Sequence, residues 1–231
     1  MQSILTMTAL FTMAFAATST HATPVVVELF TSQGCSSCPP ADALLGEIAR
    51  RPQVVALAWH VDYWDRLGWK DPFSIAAATR RQRNYVQRMS RAGAFTPQAV
   101  VSGDTSLIGS DRAAMERALA EKRDAIAIRL SQTDTAVQIE FPERWHGALD
   151  VYVVSFLDEA TTPVGRGENA HRTLKEFNIV RSIERLGKWN GSPQRMSVAR
   201  RTVPRDATSV AVLLQRSGQG AIAGAATLRL R

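Results

Sequence analysis

Cys35 and Cys38 are the only cysteines in a chain of 231 residues, and two serines separate them. Sulfur at this spacing supports three kinds of chemistry. The pair can trade electrons with other thiols through a disulfide, clamp a soft metal ion, or act as a covalent staple. A β-branched run, Pro24 to Thr31, precedes the pair, and a helical pattern follows it. Free N–H groups and the helix dipole stabilise negative charge at such a strand-to-helix junction. Thiol pKa values can fall there to about 3.5–7.5. On this reading Cys35, at the loop end, is the exposed attacking thiol. Cys38, one turn further in, resolves the mixed disulfide. Pro39 and Pro40 suit a first turn, where a missing N–H costs little. As a staple, so short a ring contributes only about 1.9 kcal/mol, and a chain of this length builds its own core. As a metal site the pair is short of ligands, because a closed zinc site takes four and no second C-x-x-C exists. Pro39 after Cys38, where covalent haem attachment needs His, excludes that chemistry. Copper(I) favours soft thiolates, so a copper carrier completed by His60 or His171 is an alternative.

Other groups stand where they can serve this site. Glu28 interrupts an apolar strand. It is either a buried carboxyl with a raised pKa or an edge-strand residue facing water. His60 and Asp62 end a second apolar run, Val54 to Val61, on one face by strand alternation. Ligands bind at such carboxyl ends of parallel strands, although a hydrogen-bonded structural histidine is the plainer reading of His60. Trp59, Tyr63, Trp64 and Trp69 make an aromatic wall suited to a peptide. Thr96 and Pro97 open a third strand, where the plain reading is an edge-strand proline. The polar loop Gly165 to His171 either folds over the cysteines, binds metal or only connects strands.

The elements that position these residues follow from hydrophobic period. Two buried strands joined by a helix over Asp42–Arg50 make a βαβ unit with a parallel sheet. An aromatic, turn-rich stretch leads to a helix over Ser74–Ala92, stopped by Gly93 and carrying Arg80, Arg81, Arg83, Arg88 and Arg91 on a solvated face. The strand Gln98–Val101 turns into a hairpin partner, Thr105–Ile108, and Ser110 or Asp111 caps a helix to about Arg123. After Asp124 the pattern becomes strand upon strand: Ile126–Leu130, Ala136–Phe141, Leu149–Leu157, Phe177–Leu186, Met196–Val203, Ser209–Gln215 and Ala221–Leu230. Short spacing without a convincing helix predicts an antiparallel, sandwich-like domain. The expected division is a signal peptide over 1–22, an α/β domain over 23–124 and an all-β domain over 125–231.

The apolar run Ile4–Ala17 is too short to span a bilayer and matches the core of a signal peptide, with small-residue cleavage sites at Ala14–Ala16 and Thr20–Ala22. The leader lacks the usual basic start. Export implies a periplasmic or secreted, oxidising setting. Charge is +7, and of 28 basic residues only Lys70, Lys122, Lys175 and Lys188 are lysines. An exported chain rarely meets nucleic acid, so an anionic envelope surface is the better partner for this charge. No apolar run reaches the roughly 18 residues of a membrane helix.

Five strings carry a family resemblance: Glu28–Asp42 (ELFTSQGCSSCPPAD), His60–Asp65 (HVDYWD), Trp69–Phe73 (WKDPF), Thr96–Gly103 (TPQAVVSG) and Gly167–Asn169 (GEN). Together they resemble the exported bacterial proteins grouped as domain of unknown function 1223, in the thioredoxin-like superfamily. The resemblance runs from about Pro24 to the C-terminus. It implies a thioredoxin-like first domain, with Cys35 and Cys38 as its redox pair. It further implies that Pro97 is a cis-proline against the pair, and that Glu28 stands near the place of the buried acid of thioredoxins. The chain departs from ordinary thioredoxins in its Ser-Ser dipeptide, in Gly34 before the first cysteine and in the β domain that follows. The resulting expectation is a thiol–disulfide oxidoreductase needing no cofactor. Its substrate is a protein or small thiol or disulfide, held by Thr96, Trp64, His60 and Asp62. The alternatives are the copper carrier and a structural binding module with an inert disulfide.

Overall fold

The computed structural model describes residues 24–123 and 125–231. The expected leader and the boundary residue Asp124 lie outside them. The first half runs β1 (Val25–Thr31), α1 (Pro39–Ile48), β2 (Val54–His60), a 3-10 segment (Asp62–Leu67), α2 (Ala76–Arg88), β3 (Gln98–Val101), β4 (Thr105–Ile108) and α3 (Arg112–Ala120). The second half is β5 (Arg129–Gln132), β6 (Ala136–Phe141), β7 (Leu149–Pro163), β8 (Thr173–Trp189), β9 (Gln194–Ala199), a 3-10 turn (Arg200–Thr202), β10 (Ser209–Gln215) and β11 (Ile222–Arg229).

Strands β1 and β2 pair in parallel, Val25 opposite Val54 and Thr31 opposite His60, as a βαβ unit requires. β3 and β4 extend this sheet antiparallel. The halves do not have separate sheets, however. One eight-stranded mixed sheet has the order β11-β10-β7-β8-β2-β1-β3-β4, with four strands from each side of position 124. The joint is β8 against β2, parallel, at Ala58 opposite Ile179. Asn178, at φ 49°, adds a side-chain N–H to the Ala56 carbonyl at 2.9 Å.

Period-2 alternation covers both faces of this sheet. Val26 and Phe30 of β1 pack with Ala78 and Tyr85 of α2 and with Ala211 and Leu213 of β10. Val27 and Leu29 turn the other way, onto Leu44, Leu45 and Ile48 of α1. In the second half Val210, Val212 and Leu214 meet Val137, Ile139 and Phe141 of a three-stranded sheet, β5-β6-β9. This contact is the expected antiparallel sandwich, but its larger layer belongs to the common sheet.

Some boundaries differ from the sequence reading for local reasons. Ser90 takes a left-handed φ of 51° and ends α2 ahead of Gly93. β7 and β8 form one long hairpin of 15 and 17 residues, longer than the apolar runs, because its outer ends are half solvated. Among the described residues no helix is long and apolar enough to cross a membrane.

The halves also meet at Gly46 of α1, where a Cβ would collide with the Phe177 ring of β8. Overpacking of this kind costs about 1–3 kcal/mol, against up to about 1 kcal/mol gained from helix propensity. Gly46→Ala is therefore expected to lower the urea midpoint, by a net loss of up to about 2–3 kcal/mol. Gly93→Ala, with open space around it, should leave the midpoint unchanged. Equal midpoints for both variants would refute the close contact.

Candidate functional site

Cys35 and Cys38 are joined in a disulfide with Cα atoms 5.4 Å apart. Cys38 is the N-cap of α1 with helical φ and ψ, and Pro39 and Pro40 fill the first turn. The amide donors expected there for a thiolate are therefore missing. Neither proline has an N–H, and the Ala41 amide donates to the Cys38 carbonyl at 2.8 Å. The expected exposure of Cys35 also fails, since both cysteines are fully buried and only Ser36 and Ser37 reach solvent.

Three sequence-predicted residues do gather at the disulfide. Cys35 Sγ lies 3.4 Å from the Ser37 hydroxyl, which donates to the Thr96 carbonyl at 3.5 Å. The Thr96–Pro97 peptide is cis. The Trp64 indole N–H donates to the Thr96 hydroxyl at 2.9 Å, whereas Trp59 of the expected aromatic wall is buried in the core.

The loop between β7 and β8 closes over the cysteines from the second half. The Asn169 amide donates to the carbonyls of Gln33 (2.9 Å) and Cys35 (3.0 Å). The Ser36 backbone N–H donates to Glu168 at 3.0 Å. The Ser36 side chain and amide together hold the Glu168 carboxyl below the usual carboxylate range. Through these contacts the loop lies across the buried Cys35. His171 of the same loop is exposed. Among the described residues no group of three His, Cys, Asp or Glu is placed to hold a metal ion, so the copper reading gains no third ligand.

Beside the disulfide loop lies a buried polar network. Gln33 is its hub. Its backbone N–H donates to Asp71 (2.9 Å), its amide N–H to Glu176 (2.6 Å), and its amide oxygen accepts from the Trp69 indole (3.0 Å). His60 Nδ1 donates to Asp71 at 2.7 Å, and His60 Nε2 stands 3.7 Å from Glu176, an ion-pair distance beyond hydrogen-bond reach. Burial alone would push the imidazole down, but Asp71 and Glu176 outweigh it and raise His60 to about 9. Burial would likewise raise Asp71, yet His60 and the Gln33 and Phe73 amides hold it low. Burial raises Glu176, and burial together with Glu176 raises Asp42 to about 7. His60 is buried and hydrogen-bonded to Asp71, as in the plainer reading, and the two carboxyls favour its protonated form.

Two predicted residues lie elsewhere. Glu28 of β1 is buried, not on a water-facing edge, but its partners are on α2. Arg81 Nε donates to it at 2.5 Å and Arg81 Nη2 at 2.9 Å, and the Tyr85 hydroxyl donates at 2.5 Å. Arg81 is correspondingly buried and is no part of a solvated face. Asp62 accepts from the Thr79 hydroxyl at 2.5 Å, so it and His60 do not share a site. The sequence reading gave no individual role to Gln33, Asp42, Asp71, Asn169 and Glu176, although it offered the Gly165–His171 loop that carries Asn169 as one that folds over the cysteines. Four of them stand inside quoted strings (Gln33 and Asp42 in the first, Asp71 in WKDPF, Asn169 in GEN), and the strings converge here. Glu176 carried no signal beyond a carboxylate in a β run.

Fold and site together define a mixed-sheet α and β protein with a buried C-x-x-C disulfide at a helix N-terminus. Residues 26–215 match the family described as protein of unknown function (DUF1223), and the chain belongs to that family. It is similar to protein AGR_C_4864 from Agrobacterium tumefaciens, whose crystal structure superposes with a TM-score of 0.79 at 34% identity, covering 89% of this chain and 93% of that one. HBP35 of Porphyromonas gingivalis shares the fold alone, with a TM-score of 0.56 at 15% identity over 90% of this chain and 75% of that one. No curated protein matches.

Asp42 and His60 titrate higher when folded than their ordinary values of 3.8 and 6.5. The folded state then holds extra protons between those values and about 7 and 9 respectively, and stability falls as pH rises through that window. Asp71 acts oppositely, its contribution being lost as pH falls through its lowered value. The urea midpoint of the oxidised protein is expected to be lower at about pH 9 than at about pH 6, and an equal midpoint would contradict the network's charge state. Arg81→Met, which strands the Glu28 carboxylate, is expected to cost about 3–5 kcal/mol in the same assay.

Proposed function

We propose that the protein is an exported thiol–disulfide oxidoreductase whose first half is built like a thioredoxin. The observation that carries this reading is the placement of the Cys35–Cys38 disulfide at the N-cap of α1, with Thr96 held against it through Ser37. A partner thiolate attacks Cys35 Sγ, the S–S bond breaks, and Cys38 departs with the electron pair. The partner's second thiol then displaces Cys35, leaving the partner oxidised and both cysteines reduced. The reverse sequence oxidises a partner dithiol. Pro97, Thr96 and Trp64 line the side from which a peptide approaches, and the substrate is a protein or a small thiol or disulfide. The apolar leader supports export, and the basic surface suits an anionic envelope.

Attack on Cys35 requires the Glu168–Asn169 loop to lift. Asn169→Ala is expected to speed reduction by dithiothreitol several-fold, read by alkylation and mass spectrometry, and an unchanged rate would remove the loop as a cover. Cys38→Ser is expected to trap a mixed disulfide through Cys35, and Cys35→Ser to abolish exchange. The full burial of both sulfurs favours a second reading, an inert structural disulfide. That reading predicts no trapped partner and reduction only after unfolding.

A further inference from the structure

We infer that Glu168 is a specificity-determining residue of the disulfide, selecting cationic partners, such as a cysteine flanked by Lys or Arg, over anionic ones. This inference rests on the exchange reading above and names the substrate class which that reading leaves open. The Ser36 backbone N–H donates to Glu168 at 3.0 Å. That nitrogen belongs to the peptide bond after Cys35, four covalent bonds from Cys35 Sγ and under about 6 Å from it. A Glu168 oxygen therefore stands within roughly 9 Å of the sulfur that a partner must attack. Glu168 itself is exposed, so its charge faces whatever approaches.

The carboxylate is held in place by the loop that carries it. At the tip of the β7–β8 hairpin the His171 N–H donates to the Val164 carbonyl at 2.9 Å, and the Ala170 N–H to the Gly167 carbonyl at 3.1 Å. Gly167, at φ 78°, sits so close to Trp69 that a Cβ on it would lie 3.2 Å from the Trp69 Cβ. The Trp69 indole is tied in turn to Gln33. Asn169, the next residue along, holds the Cys35 carbonyl.

Nothing nearby cancels the charge. Ser36 alone holds the Glu168 carboxyl below its usual range, and no cation contributes. Arg172 of the same loop is spent on the Asn169 amide oxygen. Arg66, Lys70 and Arg166 are exposed on the segments around the loop, and none pairs with Glu168 among the described residues. The net charge of +7 would by itself favour anionic partners. Charges beyond a screening length of about 8–10 Å are largely damped at ordinary salt, which leaves the local carboxylate in control.

Recognition and opening then use one contact. A partner cation that pairs with Glu168 draws it off the Ser36 amide, and the loop loses one of its ties to the disulfide. The partner's thiolate bonds to Cys35 Sγ, and the S–S electron pair passes to Cys38. The partner's second thiolate displaces Cys35, so two electrons enter the protein and the partner leaves as a disulfide.

The full-length oxidised protein is reduced with three dithiols: cationic dithiobutylamine, neutral dithiothreitol and anionic dimercaptopropanesulfonate. Rates come from alkylation and mass spectrometry, each divided by the rate of the same reagent on a small neutral disulfide. At low salt the wild type should rank them cationic, neutral, anionic, with at least about 5-fold between first and last, as unit charges about 8 Å apart give even in water. Salt at 1 M, with a screening length of about 3 Å, should close most of the gap. Glu168→Gln keeps an acceptor for Ser36 and should close the gap at low salt as well. Loss of a mere cover would instead speed all three reagents alike and preserve their order. Equal wild-type rates at low salt, or an undiminished gap in Glu168→Gln, overturn the assignment while exchange itself stands. If the variant does not fold, a wild-type gap indifferent to salt overturns it equally. A wild type that no reagent reduces short of unfolding removes the exchange reading and this one with it.

Discussion

One narrow joint holds the molecule's two halves in a common sheet: Ala58 of β2 opposite Ile179 of β8, reinforced by the Asn178 side chain on the Ala56 carbonyl. A long hairpin is committed to that position. The same hairpin also reaches the carboxyl ends of β1 and β2, where the disulfide loop begins. The hairpin delivers Glu176 next to His60 and lays Glu168 and Asn169 across the cysteines. A disulfide reachable at a loop end becomes one sealed by a residue more than 130 positions away.

The charged interior follows the same economy on both faces of the sheet. On the α2 face one carboxylate meets one guanidinium, and Arg81 also reaches Gln215 of β10 at 3.1 Å. That pair is closed, with its capacity spent. On the α1 side three carboxyls face one imidazole, so charge cannot balance without a retained proton. Replacing a closed buried pair by apolar side chains is often neutral. An unbalanced group has no such simple substitute.

Much of this was legible in the sequence because it is local. The βαβ unit, the β3–β4 hairpin and the later strands declare themselves by period, and Thr96 stands beside the disulfide through Ser37. What sequence hid depends on contacts between distant segments. Nothing near Glu28 announces Arg81, 53 residues on. Asp42 reads as an ordinary acid in a helix's first turn, where the dipole welcomes one. Its burial appears only when β8 closes the other side. His60 and Asp62 part company because the chain leaves the strand between them and turns into a 3-10 segment, which breaks the alternation that would have aligned them.

The two prolines opening α1 carry a consequence for the direction of electron flow. A disulfide is a strong oxidant when the dithiol it gives is stabilised, and a low-pKa thiolate at a helix N-terminus is one source of that stabilisation. Here Pro39 and Pro40 withhold two amides, the Ala41 amide turns back to Cys38, and Glu168 occupies the amide of Ser36. A thiolate on Cys35 would meet a poor supply of donors and a carboxylate nearby. On the proposed chemistry, that environment favours the closed disulfide over the open dithiol and sets the pair to give electrons away more readily than to receive them.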